Sequence, residues 1–285
     1  IFGSALSDTD RKLVERHLGS TGVGLYSDIP DLSTQALETL VAHYDGKIGV
    51  ESDGGSVVSW TPVDGYGDSL DEMIVRSTQI GNGSPELIKY GRPGKLIFND
   101  SNVKTDGRYL EGKLSNAKSK ELTVFWVGHY KADAPFATSG TYVYNIGINN
   151  TSHQRDDGKG GFVVEQYNGT TYAGDDITAY DGVTTVWSTV LTADSHAFYA
   201  NGENLNVAGT PSNNVQANAS MIIGAYSSSG YDFVVEIEQL IIFGSALSDT
   251  DRKLVENYLL SFTPLADKPE ISIEKSSDAV KINFS

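Results

Sequence analysis

From Lys95 onward the chain alternates short apolar runs with polar turns, at a spacing that suits strands and leaves little room for helices. The runs KLIFND (95–100), RYLEG (108–112), ELTVFWVGHY (121–130), TYVYNIGI (141–148) and GFVVEQY (161–167) are rich in Val, Ile, Tyr and Phe. TTVWSTVL (184–191), HAFYANGENLNV (196–207), SMIIGAY (220–226) and FVVEIEQLIIF (233–243) continue the series. β-Branched and aromatic residues in such runs, bounded by Gly, Asn, Asp and Ser, predict strands and together a β-sandwich. Asn201-Gly202 predicts a two-residue type I′ hairpin, because both of its central positions need positive φ. SVVSW (56–60) reads as a further strand. STQALETLVAHY (33–44) reads as a short amphipathic helix, or in its second half as the first strand, LVAHY. The polar stretch from Thr61 to Gly94 is longer than a compact domain carries as plain loop, so it should hold extra strands or a functional loop.

One helix is marked by its own cap. Ser248 opens SDTD, a Ser-x-x-Asp capping pattern with acids in the first turn, where the helix dipole favours them. Leu254, Val255, Tyr258 and Leu259 follow as one apolar stripe, so this helix should pack on the sandwich. The same sequence occurs twice: residues 1–15 and 242–256 both read IFGSALSDTDRKLVE. A repeat at that distance is a domain rather than a solenoid turn. The expected organisation is the tail of a preceding repeat (1–18), a linker (19–32), one complete module (33–262), and a linker with the start of a further small β-domain (263–285). Tandem modules multiply weak binding through effective concentration, which leans toward binding rather than turnover.

Composition narrows the classes further. The chain has no cysteine, so disulfides and thiolate chemistry are excluded. Its formal charge of −16 argues against nucleic acid as a partner. No apolar run is long enough to span a bilayer as a helix. The five histidines show no metal-ligand spacing, and phosphate loops, nucleophile elbows and triad signatures are absent.

Several motifs occur in a recognisable order. LVAHYDG (40–46), VVSW (57–60), KLIFND, RYLEG, LTVFWVG (122–128), HAFYANGE (196–203), IIGAY (222–226) and EIEQLIIFGSALSDTDRKLVENYL (236–259) span nearly all of 40–260. In this order they resemble the laminin-G-like, concanavalin-A-like jelly-roll superfamily, in forms found beside or inside bacterial polysaccharide-processing proteins. The resemblance implies an all-β, two-sheet antiparallel jelly-roll sandwich with a short C-terminal capping helix. It also implies a secreted, extracellular or cell-surface protein whose partners are a polysaccharide or glycan surface and the neighbouring modules. Ca2+ is the one cofactor it suggests. Function stays open, since the superfamily holds lectins, carbohydrate-binding modules, adhesins, hydrolases and lyases.

The candidate residues divide accordingly. Glu236 and Glu238 stand two apart on a strand, hence on one face, and paired carboxylates are what glycoside hydrolysis requires. Hydrolases of the resembled superfamily carry an acid triplet at i, i+2, i+4, and here Leu240 occupies the third place. The alternative is the structural glutamate that non-catalytic members carry before their last strand. SHQRDDGKGG (152–161) could supply a lyase base and a cation through His153 and Arg155, with His129, Tyr142 and Tyr144, or could be a polar turn reading hydroxyls or nothing. Lyase signature strands are missing. Asp175, Asp176 and Asp181 cluster in one loop and could offer calcium hard oxygen ligands. Tyr167, Tyr172, Tyr180, Tyr226 and Tyr231 lie at strand ends or in loops, where they could stack on sugar rings. Trp60, Trp126 and Trp187 lie inside strand runs and are expected in the core.

Overall fold

A computed structural model describes residues 29, 31–63, 73–77, 88–91, 94–98, 108–114, 121–130, 142–146, 152–156, 162–166, 178–180, 182–192, 195–205, 219–224, 235–262, 271–275 and 280–284. Among the described residues, two helices, α1 (Thr34–Glu38) and α2 (Asp249–Phe262), accompany the strands. The N-terminal strands are β1 (Leu40–Asp45), β2 (Val50–Asp53), β3 (Ser56–Trp60), β4 (Met73–Ser77), β5 (Lys89–Gly91) and β6 (Lys95–Phe98). Next come β7 (Arg108–Leu114), β8 (Leu122–Tyr130), β9 (Tyr142–Ile146), β10 (Ser152–Asp156) and β11 (Phe162–Gln166). The series continues with β12 (Thr185–Leu191), β13 (His196–Ala200), β14 (Glu203–Asn204), β15 (Ala219–Ile223) and β16 (Val235–Phe243). β17 (Ile271–Lys275) and β18 (Val280–Phe284) pair only with each other, as a separate two-stranded sheet.

The hydrogen-bonded path runs β11-β10-β9-β15-β7-β4-β3-β5-β6-β16-β8-β12-β13-β14, with β1 added on β16 and β2 on β3. It folds over on itself into an all-β sandwich. The sign of this is one apolar cluster fed from both ends of the path. Leu110 of β7 with Met221 and Ile223 of β15 meet Trp126 of β8, Trp187 of β12 and Ile242 of β16. All three tryptophans sit in this cluster, at most 2% exposed. Trp126 and Trp187 stack with centroids 5.7 Å apart, and Trp60 donates its indole N–H to the Asp45 carbonyl at 3.1 Å. Large aromatic area is thus buried with its polar atom partnered where it matters at Trp60.

β8 and β16 have a second buried face, which explains why their sequences read as near-continuous apolar runs. Phe125, Val127, Ile241 and Phe243 point outward into a cluster closed by Ala36 and Leu37 of α1 and by Val255 and Leu259 of α2. Ile29 and Leu32 join it, so the packed unit reaches back into the segment expected to be linker. The stretch 33–44 resolves as helix, then strand. Ser33 caps α1 by accepting from the Ala36 N–H at 3.1 Å, and Thr39 ends it by donating to the Ala36 carbonyl at 2.9 Å. β4 and β5 lie within the long polar stretch after Trp60, as extra strands. Asn201 and Gly202 have φ of 50° and 86°, the left-handed pair a type I′ turn requires. The Asn201 side chain also accepts the Val186 N–H at 2.9 Å, which ties the turn to β12.

Helix α2 begins as its sequence predicts, but its buried face is rotated from the apolar stripe. Ser248 accepts the Asp251 N–H at 3.1 Å and donates to the Asp251 carboxylate at 2.7 Å. The same carboxylate takes the Ser33 N–H at 3.0 Å and the Ser33 hydroxyl at 3.1 Å, so one acid joins the N-termini of both helices. The face that docks is Arg252, Val255, Glu256 and Leu259, all buried, while Leu254 and Tyr258 are only partly covered. Arg252 donates twice to Glu256 at 2.6 Å, Ser188 of β12 donates to the same carboxylate, and the guanidinium lies 3.7 Å from the Tyr199 ring centroid. A buried ion pair is tolerated here because nearly every polar atom has a partner.

Candidate functional site

The two candidate acids sit at a kink in β16. Opposite β8, Ile237 pairs with Gly128 and Gln239 with Val127, so Glu238 is an extra residue, a β-bulge. Before the bulge the odd residues Val235 and Ile237 face the inner cluster; after it, the even residues Leu240 and Ile242 do. The bulge therefore flips the parity of the strand while leaving Glu236 and Glu238 on the outer face. Gly128 makes this possible: a Cβ there would overlap the Glu236 carbonyl oxygen. The Gly46 N–H bonds to the Glu238 carbonyl at 2.7 Å, and a Cβ on Gly46 would overlap the Gly94 carbonyl, so three backbones crowd beside the bulge.

Both acids converge on one cation. Lys95 Nζ of β6 is 3.1 Å from Glu238 Oε1 and 3.6 Å from Glu236 Oε2. His129 of β8 lies cross-strand from Glu236, with Nε2 3.6 Å from Oε2. These side chains are 14–25% exposed, a partly buried polar cluster on the outer sheet face. Burial by itself would lower the pKa of the Lys95 ammonium, but its hydrogen bond to Glu238 and the charges of Glu238 and Glu236 outweigh that and hold it above the ordinary value. A glycosidase needs its two carboxyl groups to flank a scissile bond with a gap between them. Here an ammonium stands between them.

The other candidates fall elsewhere. His153 and Arg155 lie in β10, which is a strand paired on both sides rather than a polar turn. Its own sequence, S-H-Q-R-D, is polar throughout and carries no alternation; it is a strand because it pairs with the aromatic β9 on one side and the Val-rich β11 on the other. His153 pairs with Asn145 and Glu165, and Arg155 with Tyr142 and Val163. Tyr144 pairs with Gln154, whereas His129 belongs to β8, far along the path. Tyr180 ends a short 3-10 turn (Thr178–Tyr180) and packs edge-on against Trp187 at 5.2 Å, half-buried beside the inner cluster. Burial, and after it the charge of Glu203, push its hydroxyl pKa up, so it stays a neutral donor at physiological pH. Glu203 reaches the same sheet face through the row Glu203–Ala200–Trp187–Trp126. Tyr167, Tyr172, Tyr226, Tyr231 and the acids Asp175, Asp176 and Asp181 lie outside the described residues. Among the described residues, no group of three or more His, Asp or Glu side chains could hold a metal ion. Nor is any helix among them long and apolar enough to cross a membrane.

Reasoning from sequence missed Lys95 and His129 as partners of the two glutamates. The available signal was the broken alternation of VEIEQLIIF, where V-E-I-E gives way to Q-L-I-I-F and betrays the bulge.

No family model matches the chain, and no curated protein matches it. Its fold is shared by solved structures. Domain 4 of AbnA, a GH43 extracellular arabinanase from Geobacillus stearothermophilus solved with arabinotriose, is 19% identical with TM-score 0.50, over 77% of this chain and 98% of that one. The binding domain of botulinum neurotoxin serotype D is 12% identical with TM-score 0.51, over 88% of this chain and 64% of that one. Trypanosoma rangeli sialidase, solved with sialic acid, is 13% identical with TM-score 0.52, over 91% of this chain and 39% of that one. The chain thus spans almost the whole arabinanase domain but less than two thirds of the other two. At these identities the likeness is one of fold.

Proposed function

We propose that residues 33–262 form a non-catalytic carbohydrate-binding module, of the laminin-G-like, concanavalin-A-like kind, in a secreted multidomain protein that works on polysaccharide. The observation that carries this reading is the Lys95 ammonium seated between Glu236 and Glu238 on the outer face of the sheet. A pair bridged this way lacks the open gap a glycosidic bond would occupy. Likeness of fold to an arabinanase domain solved with arabinotriose and to a sialidase solved with sialic acid supports a glycan as ligand. Sugar rings would be held by stacking on tyrosines at strand ends, with Tyr180 the described member of that set, and by polar groups reading hydroxyls.

The test uses a panel of neutral and acidic polysaccharides. Affinity electrophoresis should show retardation by at least one glycan, while reducing ends and absorbance from unsaturated uronates stay at background. Parallel runs with calcium and with chelator decide whether Asp175, Asp176 and Asp181 hold a cation that the binding needs. Turnover that disappears in Glu238→Gln would replace the reading with a hydrolase. Retardation by no glycan under either condition would leave a structural or adhesion module.

A further inference from the structure

Helix α2 docks through groups that the chain carries twice. The groups that fix it are Ser248, Asp251, Arg252, Val255, Glu256 and Leu259. Their counterparts, one repeat earlier, are Ser7, Asp10, Arg11, Val14, Glu15 and Leu18, identical at every position. The preceding residues match too: Gly244 donates to the Thr39 carbonyl at 2.7 Å, and Thr123 donates to the Ser245 carbonyl at 2.8 Å, where the first copy has Gly3 and Ser4. We infer that the groove formed by α1 and the outer faces of β8, β12 and β16 accepts either copy. Residues 1–18 of the same chain are then a second, exchangeable closing segment for this module.

The tether permits the exchange. Ser33 is bonded to Asp251, so the start of a docked helix lies beside residue 33. Its end, at the place of Leu259, lies about 17 Å further along the helix axis. Ile29 is packed in the same cluster as Leu259, which leaves residues 19–28 to close the loop from Leu18. Those residues reach about 33 Å when extended, roughly twice what is needed.

The two copies are not equal competitors. The second follows β16 directly and so has the higher effective concentration at the groove. The first also carries His17 and Gly19 where the second has Tyr258 and Leu260, both packed against the outer cluster. Exchange therefore shows itself when the resident copy is weakened.

The full chain is compared as Val14→Asp, Val255→Asp and the double variant, with urea unfolding followed by tryptophan fluorescence. V14D alone should leave the midpoint unchanged. V255D should lower it, and V14D added to V255D should lower it again by about 0.5 M urea or more. Hydrogen exchange read by mass spectrometry should find residues 8–18 protected in V255D and unprotected in the double variant. Leu18→Asp against Leu259→Asp repeats the cycle one helical turn later. A V255D chain that is unfolded although residues 1–18 are intact overturns the inference, as does a V14D effect that is nil in both backgrounds. So does a V255D chain that sediments as a concentration-dependent dimer, since the exchange would then be between chains.

Discussion

Arg252 and Glu256 meet beneath helix α2 with their side chains 3% and 2% exposed, while Lys95 meets Glu236 and Glu238 on the same outer sheet face with 15–25% of each side chain open to water. The chemistry is alike and the physics is not. Under the helix, water is excluded and each charge relies on its partner and on Ser188 and Tyr199. At the bulge, each charge keeps part of its surface in water, which weakens the pairing relative to the sealed cluster. A charged cluster sealed beneath a helix is therefore a docking device, and one that keeps contact with water is a partly exposed feature that function can use.

The largest expected effect comes from breaking the covered cluster. Arg252→Ala leaves Glu256 buried without its ion partner and should cost about 3–5 kcal/mol in urea unfolding. Arg252→Met with Glu256→Leu should recover most of that loss, and failure to recover would mean that the pair fixes the helix in a way apolar packing cannot replace. Next is the bulge. Gly128→Ala drives a Cβ into the Glu236 carbonyl and should cost about 1–3 kcal/mol. Because the bulge positions both acids, the same variant should also loosen the Lys95 cluster, seen as displaced His129 ring resonances in NMR spectra at fixed pH.

Smaller still is Lys95→Met, at about 1 kcal/mol or less. Its pH dependence has a definite sign. The folded pKa is raised above 10.5, so the contribution is full below 10.5 and is lost as pH rises through the folded value. The difference in unfolding midpoint between the wild type and Lys95→Met, present at pH 7, should be smaller at pH 11. Smallest is Asp249, whose carboxyl is held below its ordinary 3.8, first by the hydrogen bond from Arg252 and then by that from Lys253. Its contribution is present above 3.8 and lost as pH falls through the folded value. Asp249→Asn should make the decline of the midpoint below pH 3.8 shallower, with little change at pH 7.

Much of the fold was legible because strands, turn and cap each carry a local signature. Val-, Ile- and aromatic-rich runs announced β6 to β9, β11 to β13, β15 and β16, Asn201-Gly202 announced its hairpin, and Ser248 with Asp251 announced the start of α2, whereas the polar β10 was read as a turn. The site was less legible. Counting only apolar residues placed the docking face of α2 on Leu254, Val255, Tyr258 and Leu259, although Arg252 and Glu256 share the face of Val255 and Leu259 at helical spacing. Long charged side chains bury readily when each polar atom finds a partner, and those partners come from β12 and β13, remote in sequence. The glutamate pair was visible, but its meaning was not, since Lys95 and His129 reach it only through strand pairing.

Sequence alone determined the elements, because secondary structure and capping answer to residues within a few positions of one another. It also determined that the sequence around the start of α2 occurs twice, which no contact could reveal. Tertiary structure decided which face of α2 is buried, that Glu238 stands at a bulge, and that an ammonium bridges the two acids. Those outcomes depend on which strands lie side by side, a choice made by the joint burial of two apolar faces and by no single stretch of chain.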